Sequence, residues 1–143
     1  RTPTDPRPST LAHQGLWAAL VWQAHEFVQS AELALDWQMD VAPGVELPEP
    51  AAIAVFRIFQ EMLSNVGRHA RASRLDIRIG AVAGQLHTRV RDDGSGAPAH
   101  VFEAATAYGV QGMRERALHF GGRVEIRSEP GAGSVFSLAL PLP

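Results

Sequence analysis

The chain has 143 residues, 45% of them apolar, with a formal net charge of −2. That length supports one domain with a real core, and the near-balanced charge argues against a nucleic-acid binder. There is no cysteine, which excludes a disulfide framework and thiol chemistry, and all thirteen basic residues are arginine, which excludes the phosphate-binding lysine of a P-loop.

No apolar run approaches the roughly 20 residues that span a bilayer, and no signal peptide opens the chain. A start at Arg1 rather than Met reads as a domain excised from a longer protein. Residues 1–9 carry three prolines and are expected to be extended. This divides the chain into a linker remnant, 1–10, and one domain, 11–143.

Leu11 to Gln29 places Leu16, Leu20 and Phe27 along one side and predicts a helix. His25-Glu26 lies within it; the neighbouring Trp17, Trp22 and Phe27 mark packing surface rather than a phosphoacceptor context. From Glu32 to Met39 the apolar residues Leu33, Leu35, Trp37 and Met39 alternate with polar ones, the pattern of a half-buried strand. Val41 to Pro50 reads as a loop.

Ala51 to Val66 predicts a second helix, with Ile53, Phe56, Phe59, Leu63 and Val66 at helical spacing and Pro50 suited to its first turn. Two strands follow, around Leu75-Ile79 and Leu86-Val90, joined by a turn at Ala83-Gly84. Residues 97–111 read as a loop, and Met113 to Phe120 as a short helix closed by Gly121-Gly122. Strands around Val124-Ile126 and Ser134-Leu140 flank a turn at Pro130 to Gly133. The expected fold class is α/β: a two-layer sandwich with a mixed, mainly antiparallel sheet and helices on one face.

Three groups of residues carry candidate chemistry. Glu61 and Asn65 are one helical turn apart, so a carboxylate and an amide emerge on one side; Arg68 and His69 continue that side. A solvated polar stripe is the plain alternative. Gly67 either ends this helix or admits a ligand. Asp92 stands at a strand end before Gly94 and Gly96, where it can accept a hydrogen bond from an exocyclic amino group such as that of adenine. A simple Asp-Gly turn is the alternative. Gly109 and Gly112 precede the short helix, whose first N–H groups attract phosphate; a flexible loop reads equally well there.

Taken in order, these segments resemble the ATP-binding catalytic domain of sensor histidine kinases, of the GHKL superfamily. Glu61 to Ala70 looks like the N box, Asp92-Asp93-Gly94-Ser95-Gly96 like the first glycine box, and Tyr108 to Arg116 like the second, in the form found in kinases that pair with LuxR-type response regulators. Pro130 to Ser134, Leu140-Pro141, and Arg7-Pro8 with Leu11 and Gly15-Leu16 also match, so the resemblance covers essentially the whole chain.

The resemblance implies a Bergerat ATP-binding fold that takes ATP and Mg²⁺. Asn65 would ligate the Mg²⁺ bridging the phosphates, Glu61 would act as general base or polarising group, and Asp92 would bind the adenine amino group. Arg68, His69, Gly94, Gly96, Gly109, Val110, Gly112, Met113 and Ser134 would complete the nucleotide site. Ala97 departs from the family's large apolar residue after the first glycine box, and Gly67 from a common apolar one.

The dimerisation helices with their phosphoacceptor His would precede this segment, and a LuxR-type regulator would act downstream. The isolated domain would be monomeric, with no nucleic-acid partner, and cytoplasmic even where the intact protein is membrane-anchored. An anti-sigma-factor Ser kinase of the same fold, or a degenerate docking module, are the competing functions.

Overall fold

A computed structural model describes residues 7–69, 71–82, 84–94, 108–128 and 131–142. Helix α1 (Arg7–Ala31) and strand β1 (Ala34–Val41) come first, then α2 (Glu49–His69), β2 (Arg74–Val82) and β3 (Gln85–Asp92). They are followed by α3 (Tyr108–His119), β4 (Arg123–Ser128) and β5 (Ser134–Pro141). The five strands form one sheet in the order β1-β2-β3-β5-β4. β1 and β2 are parallel, as two strands joined through a helix can be. The other three pairings are antiparallel, so the expected α/β sandwich with a mixed, mainly antiparallel sheet is what forms.

Burial alternates strictly along β3 and β5: Leu86, Val90, Phe136, Leu138 and Leu140 point inward while His87, Arg89 and Arg91 point out. The helices cover that inner side. α2 lies between α1 and α3 and buries Phe56, Phe59, Met62 and Leu63 almost completely against Leu75, Ile77 and Phe136. Each such side chain contributes about 1.5–3 kcal/mol when removed from water. Trp17 and Phe27 pack on this core, and the Trp17 indole N–H donates to Val45 O at 3.1 Å, tying α1 to the loop before α2. Trp22 stays 38% exposed, so it does not share the packing role expected of it.

Several boundaries differ from the sequence reading. The first helix begins at Arg7, so residues 7–9 are helical rather than extended: Pro8 sits in the first turn, where a missing N–H costs nothing. That helix is broken at Gly15, whose φ of 85° and ψ of 175° are open to glycine alone. α2 runs through Gly67 to His69, so this glycine does not end it. α3 starts at Tyr108, putting Gly109 and Gly112 inside the helix rather than ahead of it. α3 closes as expected: Gly121 takes φ 80°, and Gly122 N–H donates to Ala117 O at 2.8 Å.

α1 ends in the same way on a less suitable residue. Leu33 N–H reaches back to Val28 O at 2.9 Å, and the residue in the left-handed position is Glu32, with φ 58°. This is why the first strand starts at Ala34 and not at Glu32. A left-handed non-glycine residue costs about 1–2 kcal/mol, of which glycine's extra freedom in the unfolded chain returns about 0.4–1 kcal/mol. Glu32→Gly is therefore expected to stabilise the fold by about 1 kcal/mol in denaturant unfolding; a destabilised variant would contradict the cap assignment.

Candidate functional site

Asp92 ends β3 on the inward side of the sheet and is only 3% exposed. Its Oδ1 accepts the Gly94 N–H at 2.7 Å, and the Ser134 N–H of the neighbouring strand favours the ionised carboxylate. Oδ2 is buried and has no hydrogen-bond partner among the described residues. A buried acceptor left unmade costs about 1–3 kcal/mol. Here it is one that a ligand amino group would satisfy.

The surroundings hold this carboxylate in place. Asp92 lies opposite Ser134 in the ladder. Gly133 reaches β5 with φ 77°, and a Cβ there would run into Asp92 O, so the turn needs glycine twice over. The Ser134 hydroxyl lies 2.7 Å from Ser128 Oγ, so Ser134 meets Asp92 through its backbone while its hydroxyl faces β4. Asp93, next along, accepts from Ser73 N–H, Ser73 Oγ–H and Arg74 N–H at 2.7–2.9 Å. These bonds hold its carboxyl below the usual range and clamp the connection from α2 into β2 onto the end of β3.

That clamp fixes where α2 ends. Asp92 pairs with Leu75 at the start of β2, and Asn65 lies a little over one helical turn before the end of α2. Topology therefore brings Asn65 and Asp92 to the same end of the sandwich, both between helices and sheet. Asn65 is 2% exposed. Its Nδ2 donates to Glu61 O at 2.8 Å and to Glu61 Oε2 at 3.1 Å. With Nδ2 committed as donor, Oδ1 is the atom through which Asn65 can ligate a hard cation.

The first turn of α3 closes over this pair: a Cβ on Gly109 would overlap the Glu61 carboxyl. Gly109 is thus a close-approach position between α2 and α3. Gly112 is under less constraint, since a Cβ there would meet only the flexible end of Arg116 at 2.9 Å. The side chains of Val110 and Met113 are buried in the core, 2% and 0% exposed. They fix α3 against α2 and leave its backbone N–H groups to act at the helix start.

Arg68 and His69 lie in the last turn of α2, but their side chains fall outside the described residues, as does Gly96. Asp93 and Gly133 are the structural residues that the sequence reading did not single out. An acidic residue directly after Asp92, and a glycine directly before the Ser134 strand, are the signals that were available.

Burial raises the Asp92 carboxyl above its ordinary value; the N–H groups of Gly94 and Ser134 partly offset this, and the charge of Asp93 adds to it. A carboxyl that holds its proton more tightly folded than unfolded lowers stability while ionised, and the cost fades as pH falls through the folded-state pKa. Asp92→Asn keeps an acceptor for Gly94 and removes the charge. The variant is expected to melt above the parent at neutral pH, with the gain shrinking as pH is lowered through the acidic range. Thermal melts across pH would contradict this if the variant melted lower at neutral pH.

Residues 51–143 match the family described as histidine kinase-, DNA gyrase B-, and HSP90-like ATPase. The sensor histidine kinase LiaS of Bacillus subtilis is 34% identical over 139 residues, which cover 95% of this chain and 37% of that one. The histidine-protein kinase/phosphatase DegS of Brevibacillus brevis is 28% identical, covering 96% of this chain and 35% of the other. The chain thus spans about a third of the length of the curated relatives it matches.

Two solved structures share the fold. The histidine kinase domain of the Erythrobacter litoralis blue-light activated histidine kinase EL346 has a TM-score of 0.73 at 24% identity, covering 89% of this chain and 61% of that one. Acinetobacter baumannii AdeS has a TM-score of 0.67 at 14% identity, covering 90% and 64%. By that match over residues 51–143, the chain belongs to the family of histidine kinase-, DNA gyrase B-, and HSP90-like ATPases.

Proposed function

We propose that this chain, as one domain from about residue 11 onward, is the ATP-binding catalytic part of a two-component sensor histidine kinase, donating the ATP γ-phosphoryl group to a His on that protein's dimerisation helices. The observation that carries the reading is the buried Asp92 Oδ2, without a partner among the described residues, beside an Oδ1 held by Gly94 N–H. Such an acceptor suits the exocyclic amino group of adenine. The sensor kinases among the relatives support the choice of acceptor.

In this reading Asn65 Oδ1 is the protein's ligand to Mg²⁺, which when bound neutralises charge between the phosphates. Glu61, oriented by Asn65 Nδ2, polarises the acceptor imidazole and takes its proton. The N–H groups at the start of α3, at Gly109 and Val110, attract the phosphates, and Arg68, His69, Gly94, Gly96 and Gly112 border the nucleotide. The protein's contribution is positioning and preorganised charge. The partners are its own dimerisation helices and a LuxR-type response regulator. By itself the domain is monomeric and works in the cytoplasm; no helix among the described residues is long and apolar enough to cross a membrane.

Nucleotide titration tests the reading. Asp92→Ala is expected to weaken ATP binding by about 1.5–3 kcal/mol, the worth of a hydrogen bond to a charged group. Asn65→Ala should instead abolish the gain in affinity that Mg²⁺ brings. Unchanged ATP affinity in the first variant rules out the adenine assignment, and an undiminished Mg²⁺ effect in the second rules out the ligand role.

A further inference from the structure

The side of the sheet turned away from the helices is not uniformly charged. The register of β3, β5 and β4 sets His87, Ala139 and Arg123 side by side on one rung, then Arg89, Ser137 and Glu125, then Arg91, Val135 and Arg127. Along β5 the outward residues are therefore the small or short Val135, Ser137 and Ala139. The flanking strands carry long exposed side chains, of which only Glu125 is acidic. The result is a furrow floored by β5; a recess of about 490 Å³ opens over its Ser137–Ala139 end, beside Arg89 and Arg123, and continues across β2 as far as Asp40.

Two features give the furrow a preference. Arg78, further across the sheet, is occupied by Asp36 and Asp76 at 3.2–3.3 Å, and Arg123 lies 3.8 Å from Glu125. Arg89, Arg91 and Arg127 have no ion-pair partner among the described residues, in a chain whose net charge is −2. Free guanidinium groups on a ledge of small residues suit planar carboxylates, which they can grip with two parallel hydrogen bonds.

The walls are two strand spacings apart, about 9.5 Å, and like positions repeat along them every ~7 Å. That width suits one extended chain, whose alternate side chains share the repeat. A broad polyanion would instead meet Asp36, Asp40 and Asp76, which line the β1–β2 half of the same face. We propose that the furrow along β5 binds an extended, acidic polypeptide segment of a partner protein, its carboxylates paired with the arginines of the two walls. The site lies on the opposite side of the sheet from Asp92, so nucleotide binding does not depend on it.

The probe is a fluorescent hexapeptide of alternating Glu and Ser, titrated into the full chain at low salt with anisotropy as readout. Saturable binding is expected. It should weaken at least about fivefold in Arg89→Glu and in the double variant Arg91→Glu/Arg127→Glu, since each reversed charge removes one exposed pair and adds a repulsion. Arg71→Glu, outside the furrow, should bind as the parent does, and the matching Lys-Ser peptide should not bind. Circular dichroism checks folding; if a charge reversal unfolds the chain, Arg89→Gln takes its place, with weaker peptide binding still expected. Absence of saturable binding, an equal loss in Arg71→Glu, or tighter binding of an equally charged oligo(dT) would overturn the proposal.

Discussion

Everything at the functional end of this protein depends on one carboxylate being kept buried with one oxygen occupied and the other without a partner among the described residues. Asp92 Oδ1 is fixed by Gly94 N–H, while Oδ2 is buried with no partner among the described residues. The arrangement works only because β5 approaches without a side chain at Gly133. Burial works against the ionised form, and the two backbone donors offset part of that penalty. A site of this kind is held at a cost in stability and recovers it when a donor arrives.

α2 joins that anchor to the rest of the machinery. Along most of its length it is a core helix, with Phe56, Phe59, Met62 and Leu63 shut away from water. Toward its end the same helix carries Glu61 and Asn65, hydrogen-bonded to each other and roofed by the glycine at the start of α3. Packing of the apolar residues therefore sets the position of the polar ones, and the Asp93 clamp on Ser73 and Arg74 sets the end of α2 relative to Asp92. A change deep in the helical layer would be felt at the site through α2, without touching ligand.

Much of this was legible in the sequence, for identifiable reasons. Strict alternation over Leu75–Ile79 and Leu86–Val90 reflects a sheet covered on one side only, and the apolar spacing of α2 reflects a helix buried on most of its circumference. What misled were local signals overridden by context. Gly67 does not end α2, which runs on through Arg68 to His69; in a long helix packed against both α1 and α3 one glycine's cost of about 1 kcal/mol is absorbed. Gly109 and Gly112 looked like loop residues, yet α3 includes both, since burial of Val110 and Met113 draws the first turn into the core. Gly15 was the opposite case, a glycine inside a good helical pattern that does break it. Asp93 could be seen but not interpreted, because its partners lie about twenty residues upstream and only the fold brings them together.

The central claim is that Asp92 Oδ2 waits for a hydrogen-bond donor on the base. Titrating the unmodified chain with ATP and with inosine triphosphate, which carries a carbonyl oxygen where adenine has its amino group, tests this without altering the protein. An acceptor facing a buried carboxylate leaves both unpaired, so the account predicts that inosine triphosphate binds at least about tenfold more weakly than ATP. Equal affinities would contradict it.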